Sequence, residues 1–248
     1  MHDEHQAQIR SEALAAYPHE AVWLITADGA CRQVRNVHAE PAHAFAVSKN
    51  DMASAQARGL AAIVHSHPDY WACPSEADMH GQMATAVPWG IVATDGQDAT
   101  PITWWGADTP RPPLEDRPFV HGVTDCYALI RDYYAETYGI ELIEVPRAWE
   151  WWRTGGDLYQ QQFAAAGFER ITHEQAQPGD VWLMQLRSPV PNHGGILLDH
   201  GRALHHPMAR AGGPVQPKAR ARIEPIHRWL PHIAADRGGI ILRYTGHA

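Results

Sequence analysis

Apolar and polar positions follow helical spacing over residues 4–16, and the pattern stops at Pro18, which cannot continue a helix. An apolar run at 21–25 then predicts a strand, Asp28-Gly29 a hairpin turn, and 31–37 the returning strand. A further strand is expected around 43–48 and a short polar helix near 50–58. The buried-strand pattern Leu-Ala-Ala-Ile-Val over 60–64 comes next, then a helix from Ser75 to Thr85 and strands at 89–94 and 102–105. Residues 1–106 therefore predict a mixed α/β domain.

Residues 107–118 hold four prolines among several charges, a composition that favours an extended spacer, and the domain boundary is placed here. Beyond it, 127–138 has helical spacing and ends at Gly139 in the C-cap position. A second helix is expected near 157–166. Pro178-Gly179-Asp180 turns into a strand at 181–186, and further strands are expected at 193–199, 203–206 and 238–244. Helices first and a small antiparallel sheet after them predict an α+β domain over 119–248.

Composition narrows the function classes. With 248 residues, each half is long enough to bury a core. The net charge is −8 without a basic block, which argues against nucleic acid as a partner. No apolar run is long enough to insert in a membrane, and the polar start lacks the layout of a signal peptide, so a cytoplasm is the expected location. Three unevenly spaced cysteines argue against a disulfide framework and leave a thiol free for chemistry.

Two stretches carry candidate chemistry. In His65-Ser-His67, residues i and i+2 of a strand share a face, so both imidazoles can reach one ion. Asp78 would add an oxygen ligand, and three protein ligands leave the fourth position of a catalytic Zn2+ site for water. Glu20 is the upstream carboxylate placed as general base, and Ser75 the hydroxyl for an oxyanion. Ser75 and Asp78 also fit an N-cap and first helical turn.

The second stretch centres on Cys126, at an expected helix start where free N–H groups and the dipole should lower the thiol pKa. His193 opens one later strand and His205 lies on the next, beside His206, so an imidazole base with an orienting partner is available. A buried structural cysteine is the plainer alternative. Tryptophans at 104, 105, 149, 151 and 152 fit either a cleft wall or internal packing.

The joint pattern Glu20…His65-Ser-His67-x7-Ser75-x-x-Asp78, with Asn36, Pro41 and Phe45 upstream, resembles the JAMM/MPN (JAB-type) metalloproteases. That resemblance implies His65, His67 and Asp78 as zinc ligands, Glu20 as base and Ser75 as oxyanion support. Asp125-Cys126, Pro-Gly-Asp, His193-Gly-Gly-Ile and Ala-Leu-His205 together resemble the papain-like NlpC-type endopeptidases. They imply Cys126 as nucleophile, His193 as base and His205 as the third residue.

A JAMM domain (1–106), a linker (107–118) and an NlpC-type domain (119–248) in one short chain resemble the tail assembly protein K family of long-tailed bacteriophages. The resemblance implies a bifunctional peptidase acting on peptidoglycan stem peptides and on phage tail-tip proteins, in the host cytoplasm during assembly or in the virion tail. The alternative is a structural tail protein whose two domains serve as interaction modules.

Overall fold

A computed structural model describes residues 3–208 and 213–246. The chain divides into two compact units, Met1–Pro110 and Arg111–Ala248, each with its own apolar core.

The first unit runs α1 (Gln6–Ala16), β1 (Val22–Thr26), β2 (Cys31–Val34), α2 (Lys49–Ala57), β3 (Leu60–Pro68), α3 (Glu76–Thr85), β4 (Trp89–Thr94) and β5 (Thr103–Trp105). The sheet order is β2-β1-β3-β4-β5. Gly29, at a positive φ of 81°, makes the β1–β2 hairpin turn that Asp-Gly predicts. The β3–β4 pair is parallel, so α3 must cross over between them; it starts at Glu76, after a loop over 69–75. Ile9 and Ala13 of α1 pack on Trp23, Ile25, Val64 and Val92 of the sheet. Because β1 and β4 are buried along their whole length, their sequences are continuous apolar runs rather than alternations.

One predicted strand is absent. Residues 43–48 are irregular because the Asn36 side chain takes the place of a partner strand. Its Nδ2 donates to Ala44 O (3.0 Å) and to Glu20 O (2.9 Å), while its Oδ1 accepts from Ala46 N (3.1 Å).

The second unit runs β6 (Pro118–Val120), α4 (Cys126–Tyr138), α5 (Leu158–Gln162), β7 (Phe168–Ile171), β8 (Val181–Met184), β9 (His193–Leu198), β10 (Arg202–His205), β11 (Val215–Arg220), β12 (Arg222–Pro225), α6 (Leu230–Ile233) and β13 (Ile240–Tyr244). Six strands form one antiparallel sheet in the order β12-β10-β9-β8-β13-β7, and β6 pairs with β11 apart from it. Leu129, Ile130 and Tyr134 lay one face of α4 on Leu183, Ile196 and Leu242. Gly139 ends that helix at φ 68°, as its C-cap position predicts.

The helix expected over 157–166 stops at Gln162 and loosens into turns closed by Gly167. Strands β6, β7 and β12 are short, and Pro118 and Pro217 mask β6 and β11 in the sequence. Within this unit the proline-rich stretch is tied down. Arg111 Nε lies 3.2 Å from Asp132 Oδ1, and Arg117 pairs with the same carboxylate on α4.

Close strand contact places the two histidine-bearing strands. A Cβ at Gly195 would meet Leu204 O and lie 2.8 Å from His205 Cβ and from the Trp182 ring. Gly195→Ala is expected to part β9 from β10 and lower stability by roughly 1–3 kcal/mol, read as a fall in the urea midpoint.

Candidate active sites

Strand β3 carries His65 and His67 on one face, and the N-terminus of α3 brings Asp78 to them. His65 Nε2 and His67 Nε2 are 3.0 Å apart. Asp78 Oδ1 lies 3.3 Å from the first nitrogen and Oδ2 3.5 Å from the second. All three residues are buried, and their ligand atoms lie within 4.8 Å of one another.

These donors fit a metal ion. A tetrahedral zinc with bonds of about 2.0–2.1 Å sets its ligand atoms about 3.3–3.4 Å apart, and the separations here run from 3.0 to 3.5 Å around that value. His67 Nδ1 hydrogen-bonds Trp71 O (2.9 Å), which places its proton there and leaves Nε2 as a lone pair aimed at the site. Burial pushes the His65 imidazole down. For His67 burial acts the same way, but Asp78 outweighs it and the result is upward. Burial alone would raise Asp78, yet the two imidazoles hold it well below the usual carboxylate range. Cys73, buried in the same loop, does not join the ligand group.

Ser75 is the N-cap of α3. Its Oγ accepts from Asp78 N (3.1 Å) and donates to Asp78 Oδ2 (2.7 Å), completing a capping box in which the candidate ligand carboxylate is also the helix's first-turn acid. The local capping pattern and the metal pattern are thus one structure.

Glu20 is buried, and its backbone is clamped at both ends: its N–H donates to Pro41 O (2.6 Å), and its carbonyl accepts from Asn36. Burial pushes its carboxyl up to about 7, with the Asp78 charge adding and His67 opposing. Phe45 stacks against His65 at 4.6 Å between ring centres, and Trp89 and Trp105 close round the same imidazole. The three upstream positions Asn36, Pro41 and Phe45 therefore all act on this site.

In the second unit, Cys126 is the first residue of α4 and lines a cavity of about 380 Å³ together with His193, Tyr127, Tyr159, Trp149 and Trp151. Asp125 caps the helix, accepting from Ala128 N (3.0 Å) and Gly122 N (2.8 Å). Its carboxylate also takes a bidentate pair from the buried Arg147 guanidinium at 2.9–3.0 Å. Removing one partner of such a buried pair typically costs about 3–5 kcal/mol, so this pair anchors the start of the helix.

The thiol differs from expectation. Burial, with the Asp125 charge beside it, pushes Cys126 up to about 11. The helix dipole is worth about 0.3–1 kcal/mol, less than one pKa unit, and cannot offset that. The sulfur is engaged with Tyr159 Oη at 3.3 Å rather than with an imidazole, although Cys126 and His193 share the cavity.

His193 Nε2 meets His205 Nδ1 at 3.2 Å across the β9–β10 pair. Neighbouring His206 bonds to Arg117 O (3.0 Å) and lines the cavity with Cys126 and His193, without a hydrogen bond to the His193 ring. Of the two candidates for a third residue, the strand alternation brings His205 to His193. Burial drives His193 down to about 3, with His205 and His206 adding to it, so the imidazole is neutral at neutral pH.

Tyr159, Arg147 and Trp71 reach these sites from segments with no local motif. Asp125 alone had a readable signal, an N-cap residue before a helical run.

Residues 2–106 match the family described as prokaryotic homologs of the JAB domain, and residues 104–218 match the NlpC/P60 family. The tail tip assembly protein K of Escherichia phage N15 is 36% identical over 204 residues, covering 80% of this chain and 82% of that protein. The protein of the same name from Escherichia phage lambda is 38% identical over 161 residues, covering 64% of this chain and 76% of that protein. Among solved structures, the NlpC/p60 domain of the peptidoglycan hydrolase SagA aligns at 21% identity and a TM-score of 0.31, covering 47% of this chain and 83% of that one. With a JAB-like domain followed by an NlpC/P60 domain, and with relatives this similar over most of their length, the chain belongs to the tail tip assembly protein K family.

Proposed function

We propose that this tail tip assembly protein is a bifunctional peptidase. Its NlpC/P60 unit would cleave peptidoglycan stem peptides through Cys126, and its JAB unit would act as a zinc-dependent peptidase or isopeptidase on tail-tip proteins. The observation that carries the reading is the shared cavity of Cys126 and His193, with His205 bonded behind the imidazole.

With the thiol high and the imidazole low, the resting pair is neutral, so the proton moves only as the sulfur attacks. His193 Nε2 is taken by His205, which leaves Nδ1 to accept the Cys126 proton and later pass it to the leaving amine. Tyr159 Oη must give up its hold on the sulfur as the substrate carbonyl enters. The aromatic wall of Tyr127, Trp149 and Trp151 suits a peptide laid across the cavity.

In the first unit His65, His67 and Asp78 would hold zinc. A zinc ion there supplies a water acidic enough to lose its proton near neutral pH. Glu20, whose carboxyl sits near 7, is matched to take up that proton and return it to the leaving amine. Ser75 would turn from Asp78 to donate to the oxyanion. The expected location is the host cytoplasm during assembly, with the virion tail as a second site of action.

In a gel of purified cell wall, the parent protein should clear a band and Cys126→Ala should clear none. Equal inertness of the two would favour the reading in which the domains serve as interaction modules. Iodoacetamide labelling of Cys126, followed by mass spectrometry, should climb about tenfold per pH unit through neutrality, as expected for a raised thiol pKa. It should level off near pH 11, and a plateau near 7 would contradict the neutral resting pair. Elemental analysis should find about one zinc per chain, lost on chelation. Glu20→Gln should retain that zinc while processing of co-expressed tail-tip proteins falls by about 10²–10⁴-fold.

A further inference from the structure

We propose that Glu224 is a positioning residue that sets the tautomer of His205 and, through it, of His193. The proposal rests on the reading of Cys126 and His193 as nucleophile and base.

Strand β12 pairs antiparallel with β10, His205 opposite Arg222 and Ala203 opposite Glu224. Glu224 is therefore diagonal to His205 on the same face, and its Oε2 lies 3.6 Å from His205 Nε2, an ion-pair distance rather than a hydrogen bond; that buried nitrogen has no hydrogen-bond partner among the described residues, and the carboxylate is the charge that faces it. The carboxylate is itself held. Trp229 Nε1 donates to the same oxygen at 3.1 Å, Arg222 Nε pairs closely with Oε1, and an Arg228 nitrogen lies 3.9 Å from it. The Trp229 ring packs edge-on against His205 at 4.6 Å and is stacked with Trp182 at 6.2 Å. His205 is fully buried. Its neighbouring charged or titratable groups are His193 on β9, Arg222 and Glu224 on β12, and His206 on its own strand. Among the described residues, Glu224 is the carboxylate paired with it.

The consequence follows from counting protons. A carboxylate facing His205 Nε2 favours a proton on that nitrogen, which leaves His205 Nδ1 as an acceptor. His193 Nε2 must then be the donor in the 3.2 Å contact, so His193 Nδ1 carries the lone pair on the side that serves Cys126. In the opposite tautomer His205 Nδ1–H donates, His193 is protonated on Nδ1, and it cannot take the thiol proton. Arg222 lies opposite His205 and pairs with Glu224, and its charge opposes an imidazolium at His205.

The test uses the full chain with 15N-labelled histidine. Long-range 1H–15N spectra of the parent should show both His193 and His205 protonated on Nε2 and bare on Nδ1. Glu224→Leu, which removes the acceptor at similar size, should mix the two tautomers and lower kcat on cell-wall peptides by about tenfold with KM unchanged. Glu224→Gln, which keeps an acceptor oxygen, should restore the Nε2–H tautomer and most of kcat. A parent His205 protonated on Nδ1 would overturn the proposal whether or not the leucine variant folds. So would a folded Glu224→Leu protein with parental tautomers and kcat. If the parent and Cys126→Ala cleave alike, the cysteine reading fails instead, and the tautomer spectra still decide the role of Glu224.

Discussion

Two imidazole nitrogens 3.0 Å apart, His65 Nε2 and His67 Nε2, cannot both carry protons in a buried pocket. Lone pairs crowded together away from water need a positive partner, and Asp78 beside them adds negative charge. The sheet holds this arrangement in place by burying β3 between β1 and β4. The Trp71 carbonyl fixes the proton of one imidazole, and aromatic rings exclude water around the other. The cluster is a candidate metal site, and its short spacing fits a small tetrahedral ion.

The second unit also buries a pair of facing imidazoles. His193 and His205 are each buried, and each offers one nitrogen to the other. A buried pair of this kind is satisfied only if one ring donates and the other accepts, so whatever stands behind His205 decides which nitrogen of His193 is left for the cavity. The helix that presents Cys126 is held just as firmly, by an Asp125–Arg147 pair that also ties in Glu144. That anchoring charge lies next to the sulfur and disfavours the thiolate. Rigidity around the sulfur and a ready thiolate therefore pull against each other, and here rigidity prevails at rest.

In both units the groups that position a candidate site side chain also hold up the local fold. Ser75 caps α3 while binding the carboxylate that faces two histidines. Asn36 stands in for a missing strand while holding the backbone of Glu20. Such dual use explains why simple structural readings of these residues and functional ones do not exclude each other.

Much of this was legible in the chain itself. Apolar runs, the Asp28-Gly29 turn, Pro18 and Gly139 mark elements by local backbone preference, and those preferences act over a few residues. His65, His67 and Asp78 could be read together because one strand and the following helix turn carry all three. What the tertiary structure decided is everything that depends on contacts distant in sequence: the loss of a strand at 43–48 to Asn36, Tyr159 on the Cys126 sulfur, His205 rather than His206 against His193, and Glu224 behind it. The direction of the Cys126 shift belongs to the same group. A helix terminus is visible in sequence and favours the thiolate, but burial and a buried neighbouring charge act through the packed surroundings, and they outweigh it.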